Sequence, residues 1–288
     1  MKKWIVGSLI VWIFAVPAIA DLTPWADIWL NSAYHSTNGE RNTFNSFLTR
    51  SEGRFGVRLA DAIPGFAIDP YVAYYLVNSQ DQNYWNNNLA VGPGVRILPF
   101  LGYQSTSWAN EWLPDIKIFS EALTLTTLND QATADRDKVK LTDSRFGIDL
   151  WHEWNLKDID YKVPWAEIWG NASYRQTNFF AEANNFPGNQ FRTYLVYLQT
   201  KFGVHMTGGI RPYLATYLTT CGASKSWLNN LYYGVGLRME PFREQKDSPE
   251  IMKKFKMFIE VLGVAWLKEN EGRPSNDIRF GVDLTFGR

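Results

Sequence analysis

The sequence repeats itself, and a repeat of this length fixes what the chain can fold into. Pro24-Trp25-Ala26-Asp27-Ile28-Trp29 returns as Pro164-Trp165-Ala166-Glu167-Ile168-Trp169, and Arg54-Phe55-Gly56-Val57 returns as Lys201-Phe202-Gly203-Val204. Pro70-Tyr71 with Tyr74 and Leu76 is echoed by Pro212-Tyr213 with Tyr217 and Leu218. Gly94-Val95-Arg96 before Pro99-Phe100 matches Gly236-Leu237-Arg238 before Pro241-Phe242. Lys117-Ile118-Phe119 with Glu121 matches Lys256-Met257-Phe258 with Glu260. The last match pairs Arg145-Phe146-Gly147-Ile148-Asp149-Leu150 with Arg279-Phe280-Gly281-Val282-Asp283-Leu284. The order never breaks. Two copies are expected, at 21–160 and 161–288.

Within each copy the apolar residues recur every second position, which is the period of a strand and not of a helix. Ala26, Ile28, Leu30 and Tyr34 share one face of the first segment, opposite Asp27, Asn31 and His35. Phe47, Phe55, Val57 and Leu59 oppose Arg50, Glu52, Arg54 and Arg58 in the next. Phe280, Val282, Leu284 and Phe286 alternate with Arg279, Gly281, Asp283 and Thr285 in the last. Six such segments per copy predict twelve strands. Polar connections at 36–43, 79–88, 129–140 and 177–189 follow odd strands, and shorter turns at 61–65 and 157–162 follow even ones. Two even connections, near 102–110 and 243–253, are longer than that rule would have them.

An even number of strands, each about ten residues plus a turn, with long connections on one side, is the pattern of an outer-membrane barrel. Composition agrees. Aromatics make up 16% of the chain, including 13 Trp, yet hydrophobics are only 45% and mean hydropathy is -0.26. Membrane helices would be greasier. A soluble two-sheet sandwich also alternates, but it has no need of aromatic residues at strand ends, where a bilayer demands them. The expected fold is therefore all-β: a closed antiparallel transmembrane β-barrel of about twelve strands, made of two tandem six-strand repeats.

Residues 1–20 read as an export signal. Lys2 and Lys3 precede an uncharged apolar run from Trp4 to Val16, and Pro17 and Ala18-Ile19-Ala20 supply the break and the small-residue cleavage site. The run falls short of the roughly 20 residues of a spanning helix. Export without a second anchor, together with the barrel pattern, places the chain in the outer membrane of a Gram-negative bacterium.

The polar face of the barrel carries mixed charge. Asp27, Arg54, Arg58, Arg96, Lys117, Glu121, Arg145 and Asp149 are expected to face the lumen. So are their counterparts Glu167, Lys201, His205, Arg238, Lys256, Glu260, Arg279 and Asp283. Opposite charges on neighbouring strands can pair in a partly dry interior. The preferred reading is that they fill and stiffen a narrow barrel, and the other is a charged pore. With 29 basic and 29 acidic residues the chain shows no excess of cations for nucleic acid. One Cys excludes a Cys-rich metal site, three His leave little material for a His-based one, and no metal cluster or cofactor motif is recognisable.

Tyr174-Arg175-Gln176-Thr177-Asn178-Phe179, Pro212-Tyr213, and Asn229-Asn230 leading to Gly234, Gly236, Arg238 and Phe242 resemble the C-terminal barrel region of the bacteriophage adsorption protein A family. That resemblance implies an outer-membrane component tied to exopolysaccharide export, with phage receptors among its members. Those proteins carry a tetratricopeptide-like periplasmic region upstream. Its lack here implies a separate periplasmic repeat protein as partner, beside polysaccharide, outer-membrane lipid, lipopolysaccharide and the barrel-assembly machinery.

His35-Ser36-Thr37-Asn38-Gly39 followed by Thr43-Phe44-Asn45 is similar to a segment of outer-membrane phospholipase A, where Ser stands in place of Thr37. That second resemblance implies a hydrolase with His35 as base, Thr37 as nucleophile and Asn45 as orienting group. The second copy keeps Thr177-Asn178 but has Arg175 for His35, which favours a scaffold role for the shared pair. The preferred function is a non-enzymatic barrel for surface polysaccharide export or surface recognition. The register expected from alternation also turns His35 to the lumen, away from lipid esters.

Overall fold

The computed structural model describes residues 22–38, 44–59, 65–80, 87–104, 107, 110–128, 141–154, 162–178, 191–222, 228–245, 247–268 and 275–287. The export signal expected at 1–20 lies outside the described residues. The first six strands are β1 (Thr23–Asn38), β2 (Phe44–Arg58), β3 (Ala67–Ser79), β4 (Asn88–Leu98), β5 (Ile116–Thr127) and β6 (Leu141–Trp154). The second six are β7 (Pro164–Thr177), β8 (Phe191–Val204), β9 (Ile210–Cys221), β10 (Asn230–Met239), β11 (Phe255–Trp266) and β12 (Asn276–Phe286). Each strand pairs with its sequence neighbour, and β1 pairs with β12, so the sheet closes into a twelve-stranded barrel. Every pairing is antiparallel.

Closure answers the physical problem posed by the sequence. A strand at a sheet edge leaves its N–H and C=O groups without partners, which hydrocarbon cannot supply. Here the seam between β1 and β12 runs from Ile28 opposite Phe286 to Asn38 opposite Asn276. Aromatic rings cover it from outside. Tyr34 lies 5.3 Å from Phe47 and 5.2 Å from Phe280, measured between ring centroids. The ladder between β4 and β5 passes over Gly92 and Pro93, where proline has no N–H to give.

Among the described residues, the long even connections carry small structured turns. A 3-10 turn at Leu113–Asp115 precedes β5, and a one-turn helix at Glu250–Lys253 precedes β11. Among the described residues no helix is long and apolar enough to cross a membrane. The strands do that work. Phe146 is 61% exposed, Leu214 59% and Phe202 57%, and all three point outward from the barrel wall. Glu121, Glu260 and Asp69 point inward and are buried. The molecule is inside out relative to a water-soluble protein.

Candidate functional site

The alternation that sends apolar residues outward leaves the lumen to polar and aromatic side chains, and the barrel brings them together across strands that are not neighbours. In the first half of the chain Arg96 on β4 donates to Asp27 on β1 at 2.6 Å and to Asp69 on β3 at 3.0 Å. Its guanidinium lies 3.4 Å from the ring centroid of Trp25. Arg58 on β2 also donates to Asp69, at 3.1 Å. Further along the lumen, Glu121 on β5 accepts from Tyr71 at 2.9 Å and from Tyr75 at 2.7 Å, both on β3. Arg54 on β2 reaches Glu121 at 3.4 Å and Asp149 on β6 at 3.3 Å.

The second half builds the same arrangement. Arg238 on β10 donates to Glu167 on β7 at 3.0 Å, over the ring of Trp165. Glu260 on β11 accepts from Tyr213 at 2.8 Å, and Tyr217 donates to the same carboxylate. Lys201 stands 3.9 Å from it. Close approach of the tyrosine ring demands glycine opposite in both halves. A Cβ on Gly94 would sit 2.6 Å from the Tyr71 ring, and one on Gly236 2.4 Å from the Tyr213 ring. The halves differ at one level in sign: buried Asp69 is matched by buried Arg211, which pairs with Glu240 at 3.0 Å.

Nearer the ends of the strands joined by the longer polar connections, Asp143 holds Arg145 at 2.8 Å and Arg175 at 2.5 Å. Asp277 holds Arg279 at 2.5 Å and His35 at 3.4 Å. Lys117 lies opposite Asp149 on the β5–β6 ladder, and Lys256 opposite Asp283 on the β11–β12 ladder. Asp27, Asp69, Glu121, Asp143, Asp149, Glu167, Glu260 and Asp277 therefore each meet a cation or a hydroxyl, the condition under which buried charge is tolerable.

The lumen is bridged from wall to wall. β1 and β7 stand six strands apart on the closed ring, yet Trp29 and Trp169 meet with ring centroids 5.6 Å apart. Trp151 joins Trp169 at 6.2 Å, Tyr197 joins it at 4.7 Å, and its indole N–H donates to Asp149 at 3.2 Å. Against this bridge lies a cavity of about 310 Å³, and beside it a smaller one of about 50 Å³. An apolar outer wall around a polar, paired interior is stable only with hydrocarbon outside. This chain is a transmembrane barrel of the outer-membrane type.

No protein-family model matches the sequence, and no curated protein matches it. Solved barrels are similar in fold. The transport unit of the autotransporter AIDA-I from Escherichia coli has 10% identity and a TM-score of 0.39, with 98% of each chain covered. An outer membrane channel from Pseudomonas putida F1 has 9% identity and a TM-score of 0.37, covering 94% of this chain and 97% of that one. The translocator domain of autotransporter NalP from Neisseria meningitidis has 8% identity and a TM-score of 0.34, covering 97% and 93%.

The hydrolase constellation does not assemble as the second resemblance implies. His35 turns into the lumen toward Asp277. Asn45 lies opposite Ser36 on the β1–β2 ladder and accepts that hydroxyl at 2.9 Å. The period of two puts His35 and Thr37 on one face and Ser36, with Asn45, on the other. So the orienting amide implied for His35 serves a different residue, and Asp277 takes the imidazole. Sequence reasoning missed Asp69, Asp143, Asp277, Arg175 and Arg211, which alternation alone would have flagged by their parity with Tyr71, Arg145, Arg279, Ser173 and Tyr213. Among the described residues no group of three or more His, Cys, Asp or Glu side chains is placed to hold a metal ion.

Proposed function

We propose that this barrel serves the cell surface without catalysing a reaction, as a recognition element associated with surface polysaccharide, and that it works beside a separate periplasmic partner. The observation that carries the reading is the Trp29–Trp169 bridge, backed by Arg54 tied to both Glu121 and Asp149. A polymer crossing this lumen would have to break several buried ion pairs and push the indoles of Trp29 and Trp169 apart. Twelve strands enclose a modest lumen, between the filled eight-stranded barrels and the open porins, and here the indoles of Trp29 and Trp169 span it. A vestibule that ends on a floor suits binding better than free passage.

The matched constellations around Glu121 and Glu260 support a tandem origin, with repeats at 21–160 and 161–288. The resemblance to the bacteriophage adsorption protein A family supplies the polysaccharide connection and the phage-receptor variant of recognition. A clean deletion strain tests the proposal: surface polysaccharide and phage adsorption are both measured. Loss or alteration of either, restored by the intact gene, supports it. Unchanged polysaccharide together with unchanged adsorption across a phage panel overturns it.

A further inference from the structure

The cavity of about 310 Å³ against the tryptophan bridge lies within the size range of small-ligand sites, about 300–1,000 Å³. Its lining is unusual for a filler. Trp29, Trp169 and Tyr197 are each only partly buried, whereas their lumenal neighbour Trp165 is 1% exposed. Aromatic faces left wet inside a lumen gain nothing from the bilayer, and each forgoes burial energy that a ligand would restore. The same three rings and Arg50 line both the larger cavity and the smaller one, so they project between two spaces.

The arginines lining the larger cavity are each held by a carboxylate, with one exception, and Glu52 lines it as well. Arg54 is held by Glu121 and Asp149, while Arg145 and Arg175 are held by Asp143. Arg50 is exposed within the lumen, and its ladder neighbours Asn31 and Val77 are neutral. Among the described residues it makes no ion pair. Asp277, a carboxylate whose charge reaches it, is already held by Arg279 and His35. Asn171 adds an amide to the wall.

We infer that this cavity binds an acidic saccharide, with a sugar ring stacked on the Trp169–Tyr197 aromatic pair and its carboxylate on the Arg50 guanidinium. The C–H face of a pyranose fits an indole, its hydroxyls fit planar amides, and a planar guanidinium accommodates a carboxylate through two parallel hydrogen bonds. A neutral sugar would leave Arg50 facing a desolvated wall. This inference rests on the surface-polysaccharide reading and names its substrate class.

The test is calorimetric titration of the full-length, detergent-solubilised barrel with a galacturonic acid trimer, a neutral galactose trimer and benzoate. Saturable binding of the acidic trimer is expected, at least about tenfold tighter than either comparator and weakened by salt. Arg50→Gln is expected to weaken it about tenfold or more, and Trp169→Leu likewise, in barrels that keep the wild-type β-sheet circular dichroism and melting temperature. Equal affinity for the neutral trimer, tighter binding of benzoate, or an Arg50→Gln barrel that binds as the wild type does overturns the inference. Absence of acidic-trimer binding in a protein whose deletion alters surface polysaccharide overturns it too, and leaves the surface role standing.

Discussion

At the scale of single residues, burial decides which of the lumenal ion pairs matter. Arg54 is nearly sealed, with its side chain 9% exposed, and it answers two carboxylates. Arg58 meets Asp69 at similar distance, but its side chain is 31% exposed and its charge is screened. Removing one partner of a buried pair strands the other, at a cost of about 3–5 kcal/mol, whereas an exposed pair contributes about 0–1 kcal/mol. Arg54→Ala should fall near the lower figure of about 3 kcal/mol, because Tyr71 and Tyr75 still bond Glu121. Arg58→Ala should cost less than about 1 kcal/mol. Urea unfolding of the two variants in micelles measures this, and equal losses would refute the ranking. Gly236 supplies a second residue-scale prediction. A valine there would drive its Cβ into the Tyr213 ring and pull that hydroxyl from Glu260. Overpacking of this kind costs about 1–3 kcal/mol. Gly236→Val is expected to lower the melting temperature, while the outward-facing Val235→Ile next to it leaves the temperature near wild type.

At the scale of strands, the outward face must match hydrocarbon, and depth sets the penalty. Ile148 sits at the centre of β6, and Ile68 is the second residue of β3. Arginine at the bilayer midplane costs about 2–4 kcal/mol on a barrel surface and about 0–1 near the interface. Ile148→Arg should therefore destabilise the folded barrel in bilayers by several times the effect of Ile68→Arg. Similar losses in refolding titrations would mean that the mid-strand position does not lie at mid-membrane. The faces themselves were legible in the sequence, because a period of two leaves no freedom once one residue is assigned. Phe280, Val282, Leu284 and Phe286 alternate with charge so regularly that β12 could be drawn from them alone. The partners across the lumen were not legible. Alternation says that Trp29 and Trp169 point inward, but their meeting depends on strand tilt, ring closure and the narrow bore, none of which a local pattern encodes. His35 shows the same limit from the other side. Its neighbours in sequence suggested a hydrolase, whereas its partner in space, Asp277, is 242 residues away.

At the scale of the whole molecule, the barrel is held by two kinds of closure that act at right angles. The ladder closes around the circumference, and the Trp29–Trp169 contact with the Arg54 links closes across the diameter. Only the first is required for a membrane protein. The second determines whether solutes pass, and it can be removed while every backbone hydrogen bond remains. In planar bilayers the wild-type barrel is expected to show no steady porin-like conductance. Trp29→Ala with Trp169→Ala takes away both indoles and joins the spaces on either side of the bridge, so that variant should conduct several times more than the wild type. Trp29→Ala alone should conduct less than the double variant, because Trp169 still rests on Tyr197 and still donates to Asp149. Unfolding midpoints of all three proteins are recorded in parallel, so that leakage from a damaged barrel is distinguished from an opened one. A wild-type protein that already conducts like an open channel would remove the ground for assigning it to recognition instead of transport.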